Sequence, residues 1–286
     1  MEGSDNGIPP VLKTGARKGL QVRVLSPPQI FWERSHSGRV QQFTKLPCRA
    51  TGPWVRIPPS PQIMNAQEVI QELEKHKNPK NVAGMARFGI NTNNTLGISI
   101  PFLRTFAKRI GKNHILAQEL WKSGIHEARI LAAFIDNAKL VTQKQMDQWA
   151  SDFDSWDICD QVCMNLFDKT PWAYDKTIEW AKKKEEFIKR AGFALMAVLA
   201  VHDKKAKDDK FDHFFPIIIR ESTDERNYVK KAINWALRQI GKRNTVCMKK
   251  ATACANKLLE IDSKSAHWIA SDALREFAKK SLSSIY

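Results

Sequence analysis

Trp156 and Asp160 are four residues apart in Ser155-Trp156-Asp157-Ile158-Cys159-Asp160. On a helix that spacing puts both side chains on one face, one turn apart. The face of an indole ring attracts positive charge, and a carboxylate beside it completes a site for a cation. The chain around this pair is strongly basic, with 46 Lys and Arg against 30 Asp and Glu and a net charge of +16. Such a chain repels free cations on average. A cation carried on a polyanion escapes that conflict, and an alkylated base in a DNA strand is such an object.

Two further residues are weighed with this pair. Arg190 lies in Lys184-Glu185-Glu186-Phe187-Ile188-Lys189-Arg190-Ala191, and Trp235 in Tyr228-Val229-Lys230-Lys231-Ala232-Ile233-Asn234-Trp235-Ala236-Leu237-Arg238. Each has a plainer reading. A Trp at helical spacing is more often core than ligand contact, and a helix Asp is usually solvated or a cap. Arg190 can pair with Glu186 one turn back, and Trp235 can pack beside Ile233 and Leu237. Other chemistries find no foothold. There is no phosphate loop and no Ser/His or Cys/His constellation. His126 and His267 stand alone on helices and read as packing or capping residues. The five cysteines form no CxxC pair. Cys159/Cys163 and Cys247/Cys254 have helical spacing, which fits packing better than a four-ligand zinc site, so no metal and no small-molecule cofactor are expected. Reduced cysteines, no signal-peptide core and no apolar run near the roughly 20 residues of a membrane span point to a cytoplasmic protein without a membrane partner.

The elements that must position these residues begin at Met64. From there the chain shows helix signals and almost no strand signals. Asn65 caps a helix starting near Ala66, Pro101 opens one that Gly111 stops, and another ends at Gly124. Helices carrying Ile125–Phe134, opening at Thr142 and capped by Ser155 follow. Further ones are expected over Trp172–Lys183, Glu185–His202, Phe211–Arg220, Arg226–Lys242, Thr245–Ile261 and Ser265–Leu282. Connections are short, and helix pairs recur at roughly 35–45 residues, the scale of HEAT-like repeats. An irregular helical bundle is the competing architecture. A stacked α-solenoid offers a concave face, and a basic one can wrap a duplex.

Residues 1–63 differ. They hold 9 of the 13 prolines and 6 of the 13 glycines and show no sustained helical period. Val22-Arg23-Val24-Leu25-Ser26-Pro27-Pro28-Gln29-Ile30 is echoed by Val55-Arg56-Ile57-Pro58-Pro59-Ser60-Pro61-Gln62-Ile63. Both copies read like the T-arm of a transfer RNA gene translated in a protein frame. The expectation is therefore an upstream extension that does not fold, with Met64 as the natural start; the rival is a basic disordered arm that assists DNA binding. Residues 64–286 keep 37 basic against 27 acidic residues, so the argument from charge survives without it.

Three stretches carry a resemblance: Leu120-Trp121-Lys122-Ser123-Gly124-Ile125-His126-Glu127-Ala128-Arg129, Trp156-Asp157-Ile158-Cys159-Asp160, and Val229-Lys230-Lys231-Ala232-Ile233-Asn234-Trp235-Ala236-Leu237-Arg238-Gln239-Ile240. Through them the chain from about 66 to 282 resembles the DNA alkylation repair family of AlkD-like DNA glycosylases. The resemblance implies an all-α, right-handed α-solenoid of degenerate HEAT-like repeats with a basic concave face. It also implies binding of duplex DNA and hydrolysis of the N-glycosidic bond of cationic N3- or N7-alkylated purines without a base-flipping pocket; a monomer is expected. Asp160, Trp156 and Trp235 then take the catalytic positions. Arg190, with Lys189 as its rival one residue away, takes a DNA contact, and Lys230, Lys231 and Arg238 are candidates for phosphate contacts. Lys242 and Arg243 extend that basic run. The family's early-helix aromatic falls in Gly84-Met85-Ala86-Arg87-Phe88, which has no Tyr, and the Asn- and Gly-rich connection from Phe88 to Ile100 departs from the commoner pattern. Two other classes compete: a non-catalytic solenoid that recognises damaged DNA, and a helical scaffold for an acidic protein partner.

Overall fold

A computed structural model describes residues 64–283, with side chains to residue 279; all of them lie in one compact unit, Pro59–Tyr286. The expectations for residues 1–63 fall outside the described residues. The helices are α1 (Ala66–Lys75), α2 (Pro79–Arg87), α3 (Ile100–Ile110), α4 (His114–Lys122), α5 (His126–Ile135), α6 (Gln143–Ser151) and α7 (Trp156–Asn165). A single 3-10 turn, Phe167–Lys169, precedes α8 (Ala173–Trp180), α9 (Glu186–His202), α10 (Asp209–Asp212), α11 (Phe214–Glu221), α12 (Asn227–Lys242), α13 (Thr245–Leu259) and α14 (Lys264–Ser283). No strand occurs among the described residues.

Local chemistry explains where these helices begin and end. Asn65 forms a full capping box: its side chain accepts from the Glu68 amide at 2.9 Å while Glu68 reaches back to the Asn65 amide at 3.0 Å. Thr142 accepts from the Gln145 amide at 3.1 Å. Gly111 closes α3 at φ 77°, in the left-handed region. Two boundaries differ from the sequence pattern. The helix expected over Phe211–Arg220 is broken at His213 into α10 and α11. Pro216 is the cause, because it has no N–H for the Asp212 carbonyl and its ring crowds that carbonyl. An additional helix, α2, starts with Pro79 in its first turn behind an Asn78 cap.

The helices form two layers. α3, α5, α7, α9, α12 and α14 pack each against the next, making one row. α4 backs α5, α8 backs α9, and α13 lies against α12 and α14. This is the HEAT-like stacking the repeat spacing implies. Two apolar clusters run through the stack, and Trp235 packs against both. The outer layer holds an aromatic column: Trp121 stacks on Trp149 with centroids 4.0 Å apart, and Phe167 links Trp149 to Trp180. Trp121, Trp149 and Trp180 are therefore core residues. No described helix is long and apolar enough to cross a membrane.

Candidate active site

The site begins at the first turn of α7. Ser155 is the N-cap residue, but its hydroxyl does not cap the helix; it donates to Asp157 Oδ1 at 2.6 Å. Asp157 also meets His126 Nε2 at 2.8 Å across to α5. Ile158, Cys159, Val162 and Cys163 form the buried face of α7. Four-residue spacing then turns Trp156 and Asp160 together toward the open side.

Arg190 comes to them from α9. Its Nε donates to Asp160 Oδ1 at 3.0 Å and its Nη2 to Oδ2 at 2.8 Å, a bidentate fork. Nη1 donates to the Tyr228 carbonyl at 2.6 Å. The guanidinium carbon lies 5.8 Å from the Trp156 ring centroid. Arg190 thus pairs with Asp160, not with Glu186 one turn back. Three of its five N–H groups are engaged within the chain. The side chains of Arg190 and Asp160 are 7% and 14% exposed, so the pair sits in a low-dielectric environment where its attraction is strong and its desolvation costly. Burial pushes the Asp160 carboxyl above the usual carboxylate range, and Arg190 pulls against that rise. Burial disfavours the Arg190 charge, yet Asp160 holds the guanidinium charged. Close by, burial lowers and Asp157 more than restores the His126 pKa, leaving it raised. Burial would raise Asp157, but His126 and Ser155 hold it below its ordinary value.

A cavity of about 700 Å³ opens against this cluster. Ile98 to Ile100 before and at α3, His126 and Ile130 of α5, and Trp156, Asp160 and Gln161 of α7 all line it, so the N-terminal turns of three stacked helices share one side. Arg190 and Trp235 close it from α9 and α12, and α2 covers it with Met85 and Phe88. The exposed wall is mainly apolar, and Lys80, Asn81, His126, Asp157 and Gln161 line it beside the Asp160–Arg190 pair. Among the described residues no group of three His, Cys, Asp or Glu side chains is placed to hold a metal ion.

Asp160, Trp156, Trp235 and Arg190 are therefore brought to one cavity. Lys189 is not. One residue along a helix turns a side chain by about 100°, and Lys189 points to Glu221 at 2.7 Å and Asp224 at 3.2 Å, buried against the start of the α11–α12 connection. Lys189 therefore does not line the cavity that Arg190 lines. Arg238 pairs with Glu276 of α14, as does Lys242 at 2.6 Å. Arg243 is half-buried and bonds Asp208 and the Ala200 and Ala206 carbonyls. Lys230 lies 5.3 Å from the Trp268 ring centroid. Lys231 is exposed and lines a smaller cavity that shares Trp156 and Arg190 with the first.

Several site residues escaped the sequence pattern. His126 lines the cavity and does more than cap a helix. Glu127 is buried and accepts the amides of Leu96, Gly97 and Ile98 at 2.8, 2.6 and 3.2 Å, which orders the connection that departs from the family pattern. Three successive amides converging on one carboxylate leave no signature in residue types. Tyr228 donates its hydroxyl to the Gly89 carbonyl at 3.0 Å, and Trp156 Nε1 donates to the Phe88 carbonyl at 3.0 Å. The early helix thus presents Phe88 to the cavity where a Tyr is absent.

Comparison with known proteins places the geometry. The fold matches that of a solved structure, a new family of proteins related to the HEAT-like repeat DNA glycosylases with affinity for branched DNA structures. The TM-score is 0.63 at 20% identity, over 74% of this chain and 95% of that one. At that identity the likeness is one of fold. No curated protein matches the chain. The family model described as DNA alkylation repair enzyme matches residues 69–280, which include every residue of the cavity named above. The chain belongs to the DNA alkylation repair enzyme family.

Proposed function

We propose that the protein is a DNA glycosylase that hydrolyses the N-glycosidic bond of N3- and N7-alkylated purines in duplex DNA. The observation that carries this reading is the Asp160 carboxylate, fixed by Arg190 beside the Trp156 ring at the wall of an apolar cavity. An alkylated purine already carries positive charge, so it leaves as a neutral base and needs no acid to protonate it. The sugar gains oxocarbenium character, and a preorganised carboxylate stabilises that charge. Water adds at the anomeric carbon, loses its proton to Asp160 or solvent, and leaves an abasic sugar. Ordinary glycoside hydrolysis uses a second carboxylate to protonate a poor leaving group; a cationic base removes that need. Arg190 orients Asp160 through two parallel bonds, and a phosphate of the lesion strand would meet the edge of its guanidinium that lines the cavity. Trp156 and Trp235 offer rings to the lesion and its sugar, worth about 0.5–2 kcal/mol each. The apolar walls suit reading by shape and charge rather than by base-specific hydrogen bonds.

The test is release of 7-methylguanine from duplex DNA by wild type and Asp160→Asn. Wild type is expected to release it and the variant to fall by about 10²–10³-fold with binding retained. Equal release by both removes Asp160 from the chemistry. One observation favours a second reading: Arg190 already engages both Asp160 oxygens and one face of Trp156, so the pair holds a cation of its own. A binding protein for damaged or branched DNA needs nothing more from them. Tight binding to lesion-containing or four-way-junction DNA with no base released by wild type would establish that reading instead.

A further inference from the structure

α2 buries none of its residues, yet it lies over the cavity. Asn81 Nδ2 donating to the Gly97 carbonyl at 2.8 Å and Asn91 Nδ2 donating to Asp154 at 2.9 Å steady its flanks. Its C-terminal end is fastened by the site itself. Trp156 donates to the Phe88 carbonyl, and Tyr228 donates to the next one, Gly89, each at 3.0 Å. Tyr228 accepts from Arg190 through its own carbonyl at 2.6 Å, Arg190 grips Asp160, and Asp160 stands one turn from Trp156 on α7. These contacts close a ring through α7, α9, α12 and the end of α2. The turn is shaped to the tyrosine. Gly89 has φ 71°, a conformation that side-chain-bearing residues resist, and a Cβ there would overlap the Tyr228 hydroxyl. The Phe187 ring, 5.7 Å away, flanks the Tyr228 ring and limits its alternatives.

We propose that Tyr228 is a positioning residue for the reaction at Asp160, a role that rests on the glycosylase reading. Its backbone carbonyl sets the guanidinium that orients the carboxylate. Its hydroxyl sets the end of α2, and so the wall made by Met85 and Phe88. One residue thereby fixes the separation between the group that stabilises the sugar cation and the wall that faces the base. A lesion nucleotide held against Asp160 reacts in that geometry; without the hydroxyl it binds as well and reacts more slowly.

Tyr228→Phe isolates the hydroxyl, because the carbonyl that Arg190 uses is unchanged. Two measurements read its effect. One is steady-state release of 7-methylguanine from duplex DNA, resolved into turnover and KM. The other is amide exchange over residues 85–91 in the full-length protein. The expected result is a turnover rate lower by about two- to tenfold, the equivalent of one net hydrogen bond, with KM unchanged and exchange near Phe88 and Gly89 faster. Gly89→Ala is expected to do the same through the other partner. Unchanged turnover in both variants overturns the proposal whatever the exchange shows, and increased turnover overturns it by showing that the turn obstructs the site. If wild type releases no base from any alkylated duplex, the glycosylase reading fails. The positioning role, which needs the reaction at Asp160, is overturned with it; the two failures are told apart because failure of the Tyr228 proposal alone leaves wild-type base release intact.

Discussion

The Trp156–Asp160 pair holds a cation, and in the free protein that cation is Arg190. The carboxylate is thereby clamped in plane in the free protein, which is the electrostatic preorganisation the proposed chemistry requires. Lys at position 190 keeps the charge but cannot span both oxygens. Arg190→Lys is expected to lower base release by about ten- to a hundredfold, the equivalent of a lost charge-assisted bond, with base release from 7-methylguanine DNA as the assay. The pH dependence follows from the same residues. On the proposed glycosylase chemistry Asp160 must be ionised, so release should rise with pH through a midpoint above the ordinary 3.8 of Asp, because burial raises it. A midpoint at or below 3.8 contradicts the assigned role. The His126–Asp157 pair affects stability with the opposite sense. His126 is raised in the folded protein, so its contribution is complete below its unfolded value near 6.5 and disappears as pH rises through the folded one. His126→Gln should therefore cost about 1–3 kcal/mol in urea unfolding at about pH 5.5 and progressively less at alkaline pH.

Among the elements, the connection between α2 and α3 joins the core through Leu96 and Ile98 and is held by a set of polar contacts. Glu127, at the first turn of α5, gathers three successive amides from Leu96, Gly97 and Ile98. The Asn94 carbonyl accepts from the His126 amide at 2.8 Å, and the Leu96 carbonyl from the Asn78 amide at 2.8 Å. Ile98 in turn lines the cavity. Glu127→Ala leaves three amides without their acceptor and should cost about 3 kcal/mol or more. Urea unfolding reads that cost, and faster amide exchange at residues 94–98 localises it. A change below about 1 kcal/mol would mean the connection is held by something other than Glu127. The helix capping, the Gly111 stop and the rows of apolar residues needed only local sequence, because caps and periodicity act within a few residues. The break at His213 was also local in cause, through Pro216, though the apolar run Phe214–Ile219 masks it.

Across the whole molecule, positive charge is plentiful but unevenly free. Lys176, Lys189, Arg190, Arg226 and Arg243 are tied to carboxylates, so much of the net charge of +16 cannot be equated with phosphate contacts. Lys80, Arg87 and Lys231 are exposed and line the two adjoining cavities at the α2–α12 edge. If DNA enters there, Lys231→Ala should reduce the slope of log affinity against log salt by about one. Lys189→Ala should leave the slope unchanged and lower stability instead. Fluorescence anisotropy with a duplex in a salt series separates the two; a lowered slope for Lys189→Ala would place the DNA on the other layer.

The residue types, their helical spacing and the family resemblance were enough to name the all-α repeat fold and to single out Trp156, Asp160, Arg190 and Trp235, which the structure gathers around one cavity. Periodicity encodes which face of a helix is buried, and that is a short-range property of the chain. Partner choice is not. Arg190 bonds Asp160 rather than Glu186, Lys189 turns away to Glu221 and Asp224, and Tyr228 meets Gly89 across 139 residues, because each depends on how the stacked helices approach one another. Those approaches are set by packing of the two apolar clusters over the whole stack. Only the tertiary structure therefore decided that the aromatic–carboxylate pair is joined through Arg190 and Tyr228 to a covering helix.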